Sequence, residues 1–123
     1  MSELPKFLVE DADWASTVID VLEEFRNVNA DMTMNQALTL MHIGINPGIS
    51  QKQLSSKLHL DDGTVSRISA LMSDRGSRGR EGLRMIEIKL DVRDYRFRVQ
   101  SLSSSGLELW SRLKTITSNL RKR

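Results

Sequence analysis

The feature that most constrains the fold of this chain is a run of helix start and stop signals between Thr33 and Asp61. Thr33 and Ser50 are each followed three residues later by a glutamine, which is the capping-box spacing that begins a helix. Pro47-Gly48 ends the first of these helices, and Asp61 is suited to cap a further one. The segment therefore predicts a short helix held between two longer ones by tight turns.

Amphipathic helices are expected on either side of this segment. Over residues 13–28, and again over 104–120, large apolar residues recur at intervals of three and four, which is the helical period. The apolar faces include Trp14, Val18, Val21 and Phe25 on the first helix, and Trp110, Leu113 and Ile116 on the last. The spacing leaves open whether these faces pack on the same chain or on a partner.

A helix over residues 62–73 is expected after Asp61. Three apolar residues at helical spacing, beginning with Val65, form its inner face. Its outer face carries Gly63, Ser66, Arg67 and Ala70. An outer face of small and polar residues with one arginine lets a helix approach another molecule closely.

A basic loop and a β-hairpin follow this helix. Residues 74–82 hold three glycines and three arginines, which is typical of a flexible basic loop. Over residues 86–100 apolar and polar residues alternate as in two antiparallel strands. The alternation predicts that Tyr95, Phe97 and Val99 are buried and that Arg96, Arg98 and Gln100 face water.

The charge of the chain is unevenly divided. Residues 1–34 carry eight acidic and two basic side chains, whereas the remaining 89 residues carry eight acidic and sixteen basic ones. This division favours contact between the body of the protein and a polyanion. The length of 123 residues, with 39% hydrophobic residues, predicts one domain with its own core.

Several classes of function are disfavoured. The chain has no cysteine, and its two histidines, His42 and His59, lack metal-ligand spacing, so we expect no metal site. No isolated carboxylate pair or nucleophile motif is present. We therefore expect that the protein is not an enzyme, has no catalytic residues and binds no cofactor. No apolar run could span a bilayer, and no signal peptide is recognisable, which predicts a cytoplasmic protein without a membrane partner.

The order of elements and several motifs resemble the MarR-type transcriptional regulators. The stretch "MTMNQALTLMHIGINPGISQKQLSSKL" resembles the family's second and third helices, and "LDDGTVSRISALMSDRG" resembles its recognition helix. "DVRDYRFRVQSLSSSG" is similar to the family's wing signature, DxRDxR followed by a strand and LTxxG. The resemblance covers about residues 33–120. It implies a mainly α fold with a small β-hairpin wing, a winged helix-turn-helix with dimerisation helices at both termini.

The resemblance also implies a set of DNA-binding residues. Asp91 and Arg93 would brace the wing by ion pairing, and Arg96 would enter the minor groove. Helix 62–73 would lie in the major groove, and wing 86–100 at the minor groove. The residues expected to contact DNA are Ser50, Gln51, Lys52, Asp62, Gly63, Thr64, Ser66, Arg67, Arg78, Arg80, Arg93, Arg96 and Arg98.

The sequence departs from the family pattern at three places. About eight extra residues lie within 77–84, where we weigh a disordered loop against a basic arm that contacts DNA. Asp62 stands where a polar or basic residue is common, and a carboxylate repels phosphate unless it accepts from the amino group of cytosine. A last helix found in many relatives has no counterpart here, which makes a small-molecule effector doubtful.

We therefore predict a homodimeric, sequence-specific regulator of transcription that binds double-stranded DNA, most simply as a repressor. Segments 13–28 and 104–120 would form the dimer, and 33–102 would form the DNA-binding core. The alternative is a winged-helix adaptor that binds another protein through its acidic first helix. Such an adaptor would show no preference for DNA sequence.

Overall fold

The computed structural model describes residues 12–76, 79–94, 98–118 and 120. These residues form five helices and three strands. The helices are α1 (Ala12–Val28), α2 (Met34–Ile45), α3 (Gln51–Leu58), α4 (Asp62–Met72) and α5 (Ser104–Ser118). The strands are β1 (Ile49–Ser50), β2 (Ile86–Leu90) and β3 (Arg98–Leu102). The expected fold class, helices with a small β wing, is confirmed.

The helices begin at the signals that the sequence predicts. Thr33 caps α2 and Ser50 caps α3, and each forms a complete capping box with the glutamine three residues on. Asp61 caps α4, because its Oδ1 accepts from the backbone N–H of Thr64 at 2.7 Å. His59 ends α3 in the left-handed conformation, with φ of 56°, a position that most often carries glycine. Local chemistry therefore sets the boundaries of these three helices.

A single cluster of buried residues joins the five helices with β1 and β2, and Leu102 of β3 packs against it. It contains Phe25, Leu40, Ile43, Ile49, Leu54, Val65, Met72, Ile86, Leu109 and Leu113. α1 packs mainly against α5, while α3 and α4 pack against each other and α2 lies over both of them. The strands form an antiparallel sheet in the order β1-β3-β2. This arrangement leaves the outer face of α4 on the surface, together with Val92 and Arg93 after β2.

The prediction for the faces of the second wing strand is wrong at Val99 and Gln100. In the observed register Ile88 pairs with Gln100 and Lys89 pairs with Val99, so Gln100 shares the inner face with Ile86 and Ile88. Gln100 is completely buried, whereas Val99 is half-buried on the opposite face. Tyr95 and Phe97 lie outside the described residues. The strand also runs to Leu102, two residues beyond the predicted end of the wing.

Two smaller observations concern the sheet and membranes. The sequence does not reveal β1, a pair of residues that adds a third strand beside β3. Within the described residues, no helix combines the length and apolar character needed to cross a bilayer.

Candidate nucleic-acid interface

The first half of α4 presents small and polar residues to solvent. Gly63, Ser66 and Arg67 are exposed there, and Thr64 is half-buried. The guanidinium of Arg67 folds back along the helix, where Nη2 donates to Thr64 Oγ1 at 3.2 Å. These residues therefore form one continuous surface that is free of bulky apolar groups, as the sequence predicts.

Asp61 caps the start of this helix, and its pKa is shifted. Its carboxylate accepts from the backbone N–H and the side chain of Thr64, and these hydrogen bonds lower the pKa of Asp61 below its ordinary value of 3.8. The positive charge of Arg67 lowers it further. Asp62 follows in the first turn and is exposed. The start of α4 thus presents two carboxylates together with Arg67.

The start of α3 lies beside α4. Lys52 is exposed there, and Ser50, which is half-buried, uses its hydroxyl oxygen to cap the helix. Gln51 points inward: its Nε2 donates to the carbonyl oxygen of Asp62 at 3.4 Å, and its Oε1 accepts from Gln100. Its side chain is therefore engaged by hydrogen bonds within the protein. Only the backbone N–H of Gln51 remains available to bind a phosphate.

The start of the wing loop, directly after β2, is braced mainly through backbone. Asp91 Oδ1 accepts from the backbone N–H of Arg93 at 2.8 Å, whereas the ion pair with Arg93 Nε is longer, at 3.7 Å. The Asp91 side chain is 20% exposed and that of Arg93 is 91% exposed. Arg93 therefore keeps its guanidinium in solvent. Arg98 is also exposed, on the same face of the hairpin as Leu90, and Arg96 lies outside the described residues.

The basic loop between α4 and β2 is tied to the end of α4. The backbone N–H groups of Leu83, Arg84 and Met85 donate to the carbonyl oxygens of Leu71, Ser73 and Met72, at 2.8, 3.1 and 2.8 Å. Arg80 is exposed, and Arg78 lies outside the described residues. The returning part of the loop, residues 83–85, therefore has a defined path, and contact of the basic loop with DNA stays a prediction.

The residues expected at a dimer interface divide into three groups. Phe25 and Leu113 are 7% and 6% exposed and belong to the protomer's own core, so their assignment to a partner surface is wrong. Trp14 and Val18 are 52% and 43% exposed and remain on the surface. Val21, Trp110 and Ile116 are half-buried.

A larger apolar surface than the sequence indicated lies around these residues. Ile19 and Leu22 on α1 are about half exposed, as are Met34, Leu38, Met41 and Ile45, which form a stripe along α2. The stripe was missed because the buried side of α2 is itself apolar, so the helix has large apolar residues on two faces. Two clefts, one lined by Val21 and Met41 and the other by Leu22 and Met34, join this stripe to α1.

The first of these clefts has a volume of about 460 Å³ and lies between α1, α2 and α5. Its walls include Ile45 and Trp110. The volume is in the range of small-ligand sites. The prediction that an effector is doubtful stays a prediction.

The burial of Gln100 was also missed from the sequence. Its carboxamide lies between α3, α4 and the sheet, where Ser69 Oγ donates to its Oε1 at 2.9 Å. A glutamine in an alternating strand gives no local sign of burial, so its assignment required the tertiary structure.

Residues 30–77 match the model of the MarR family. Among solved structures, the complex of S. aureus MepR with DNA is 20% identical, with a TM-score of 0.67 over 94% of this chain and 84% of that one. A mutant of MepR bound to an oligodeoxyribonucleotide is 17% identical, with a TM-score of 0.70 over 98% and 81% of the two chains.

A third structure is that of the PcaV transcriptional regulator from Streptomyces coelicolor with its natural ligand. It is 18% identical and has a TM-score of 0.58, over 99% of this chain and 82% of that one. No curated protein matches the chain in sequence. The resemblance to MarR-type proteins is confirmed by the family match and by the shared fold.

Proposed function

We propose, from the match of this chain to the MarR family and from its MarR-type fold, that it is a homodimeric regulator of transcription that binds double-stranded DNA. α4, which we call the recognition helix, enters the major groove, and the wing lies at the minor groove. The observation that carries the proposal is the surface at the start of the recognition helix, where Gly63, Ser66 and Arg67 are exposed together. Two of the structures that share the fold are complexes of MepR with DNA.

Charge and geometry support this assignment. Lys52, Arg67, Arg80, Arg93 and Arg98 are exposed and belong to α3, the recognition helix, the basic loop and the wing. Cations on these elements attract phosphates, and an arginine in the major groove can read the two acceptors of guanine. Arg67 suits base reading because Thr64 holds its guanidinium on the recognition helix before DNA arrives.

Asp62 adds a sequence preference to this surface. A carboxylate in the first turn of the recognition helix repels phosphates, but it can accept a hydrogen bond from the amino group of cytosine. A cytosine opposite Asp62 and a guanine near Arg67 would together satisfy both side chains. We expect G·C pairs at the centre of each half-site.

The exposed apolar surface of α1 and α2 supports the homodimer. Trp14, Val18 and Leu22 are each about half exposed on one side of α1, although the other side of that helix is in the core. Large contiguous apolar surfaces of this kind mark interfaces. A two-fold dimer presents its recognition helices to half-sites about one helical turn apart, which implies a roughly palindromic site. Such a dimer excludes other proteins from the DNA it covers, so repression is the simplest outcome.

The adaptor alternative receives less support. Glu24 binds Arg112 of α5, with 2.8 Å between Glu24 Oε2 and Arg112 Nε, and its side chain is only 20% exposed. Glu23 is paired with Arg26 on the same helix. Part of the acidic charge of α1 is therefore neutralised within the protomer.

The test is the binding of random-sequence duplexes, with the selected duplex then titrated against salt. We expect a defined sequence to be selected and affinity to fall steeply as salt rises. Arg67→Ala should weaken binding to the selected duplex by about 1–3 kcal/mol and relax the preference at one base pair.

Arg26→Ala is the matched control. It removes the same charge from an exposed arginine of α1, outside the proposed DNA surface. If no sequence is selected, or if both variants lower affinity equally, sequence-specific recognition by this helix is wrong. Arg96→Ala tests the wing in the same assay, where we expect a loss of about 1–3 kcal/mol.

A further inference from the structure

A buried carboxamide lies where the wing, α3 and the recognition helix meet. Gln100 is in β3, the central strand of the sheet, and is fully buried. Its Oε1 accepts from Ser69 Oγ at 2.9 Å, and its Nε2 donates to Gln51 Oε1 at 2.7 Å. Both ends of the carboxamide are therefore engaged by residues that are distant in the sequence.

These hydrogen bonds reach the recognition helix at two places. Ser69 belongs to the second half of that helix, and Gln51 donates onward to the carbonyl oxygen of Asp62 in its first turn. The bond to Asp62 is long, at 3.4 Å, and the other two are of ordinary length. A helix held near both ends relative to one strand has a defined direction relative to that strand.

The backbone of Gln100 also holds the sheet. Its carbonyl oxygen accepts from the backbone N–H of Gly48 at 2.9 Å, and the residue pairs with Ile49 on one side and Ile88 on the other. A slip of β3 by one residue would place Val99 or Ser101 at this position and leave Ser69 and Gln51 without their partner. Leaving buried polar groups unpaired is costly, so the carboxamide specifies one register.

An apolar residue of similar size could fill the same space. Apolar packing is tolerant of small rotations, whereas hydrogen bonds depend on direction as well as on distance. The exposed residues of the recognition helix and of the wing must meet the two grooves of one DNA duplex together, which requires a fixed angle between these elements.

We propose that Gln100 is a positioning residue for DNA recognition, which holds the recognition helix at a fixed angle to the wing through Ser69 and Gln51. The role rests on the proposed DNA-binding function and extends it to a residue that does not touch DNA. Gln100 acts on sequence preference and leaves the attraction of exposed cations for phosphate unchanged.

The experiment measures the affinity of Gln100→Leu for the selected duplex and for a scrambled duplex of the same composition. The substitution is buried and neutral, so the salt dependence should match that of the unsubstituted protein. We expect affinity for the selected duplex to fall by at least about tenfold and affinity for the scrambled duplex to change by less than about twofold. The ratio of the two affinities is a quantity that a loss of stability alone would not change.

Ser69→Ala provides a milder variant that leaves the strand residue in place. It should lower the ratio in the same direction, by about threefold, and it keeps the proposal testable where Gln100→Leu does not fold. Leu109→Ala is the control for stability, because Leu109 is a buried residue of α5 outside this hydrogen-bond network. Measured below the unfolding transition of each variant, Leu109→Ala should retain the ratio.

The outcomes separate the two proposals. If the unsubstituted protein prefers the selected duplex and the folded Gln100 and Ser69 variants keep that preference, the positioning role is overturned and the proposed function stands. If the unsubstituted protein binds both duplexes equally, the proposed function is overturned and the positioning role with it. A drop in the ratio confined to the Gln100 and Ser69 variants supports the role.

Discussion

Gly106 lies in the first turn of α5, at the position of the glycine in the family's LTxxG motif, and is buried. A Cβ atom added there would overlap the carbonyl oxygen of Met85 and would lie 3.1 and 3.2 Å from the Cβ and Cδ2 of Leu102. The Met85 oxygen is backbone, and it already accepts from the N–H of Ser103 at 2.9 Å. Gly106→Ala therefore forces backbone to move at the junction of the wing and α5.

The size of the effect follows from three contributions. Displacing packed backbone costs about 1–3 kcal/mol, as for other overpacked sites. Weakening the bond between Ser103 and Met85 costs about 1 kcal/mol more. Alanine favours helix over glycine by at most about 1 kcal/mol, and by less in the first turn. We expect a net loss of about 2–3 kcal/mol, or about 10 °C in the midpoint of thermal unfolding.

The assay is urea unfolding followed by circular dichroism, with Gly63→Ala as the matched control. Gly63 is also in the first turn of a helix, but a Cβ atom there would meet its nearest neighbours at 3.4 and 3.5 Å, which is ordinary contact. That variant should be as stable as the unsubstituted protein, or more stable by up to about 1 kcal/mol. If Gly106→Ala lost less than about 0.5 kcal/mol, the packing of Gly106 on Met85 would be refuted.

Two further predictions concern charge and assembly. Because hydrogen bonds lower the pKa of Asp61 in the folded state, its charge contributes stability above the unfolded pKa, and this contribution is lost as the pH falls through the folded pKa. Asp61→Asn should therefore lose less stability than the unsubstituted protein as the pH falls from about 5 to about 2. Urea unfolding at each pH measures the loss, and equal losses in the two proteins would contradict the role of Asp61 as a charged helix cap. Val18→Glu places a charge on the exposed apolar side of α1 and should shift the mass in solution from dimer to monomer. Val92→Glu, at a site 85% exposed on the wing, is the control and should leave the mass unchanged. A dimer that survives Val18→Glu would exclude the apolar side of α1 as the dimer interface.

The helices of this protein are readable from its sequence because their signals are local. A capping side chain bonds to a backbone N–H three residues away, so Thr33, Ser50 and Asp61 mark helix starts without reference to the rest of the chain. The exposed surface of the recognition helix follows from the same periodicity. The wing motif added Asp91 and Arg93, whose contact lies within one turn.

Tertiary structure decided which apolar and polar residues are enclosed. Phe25 and Leu113 are in the protomer's core because α1 lies against α5, and no local spacing distinguishes them from the exposed Trp14 and Val18. Gln100 is enclosed because β3 lies between two other strands in a particular register, and its partners Ser69 and Gln51 are 31 and 49 residues away. Hydrogen bonds between residues so far apart in the sequence depend on the packing of whole elements. The spacing of nearby residues therefore determines the helices, and the fold determines which side chains connect them.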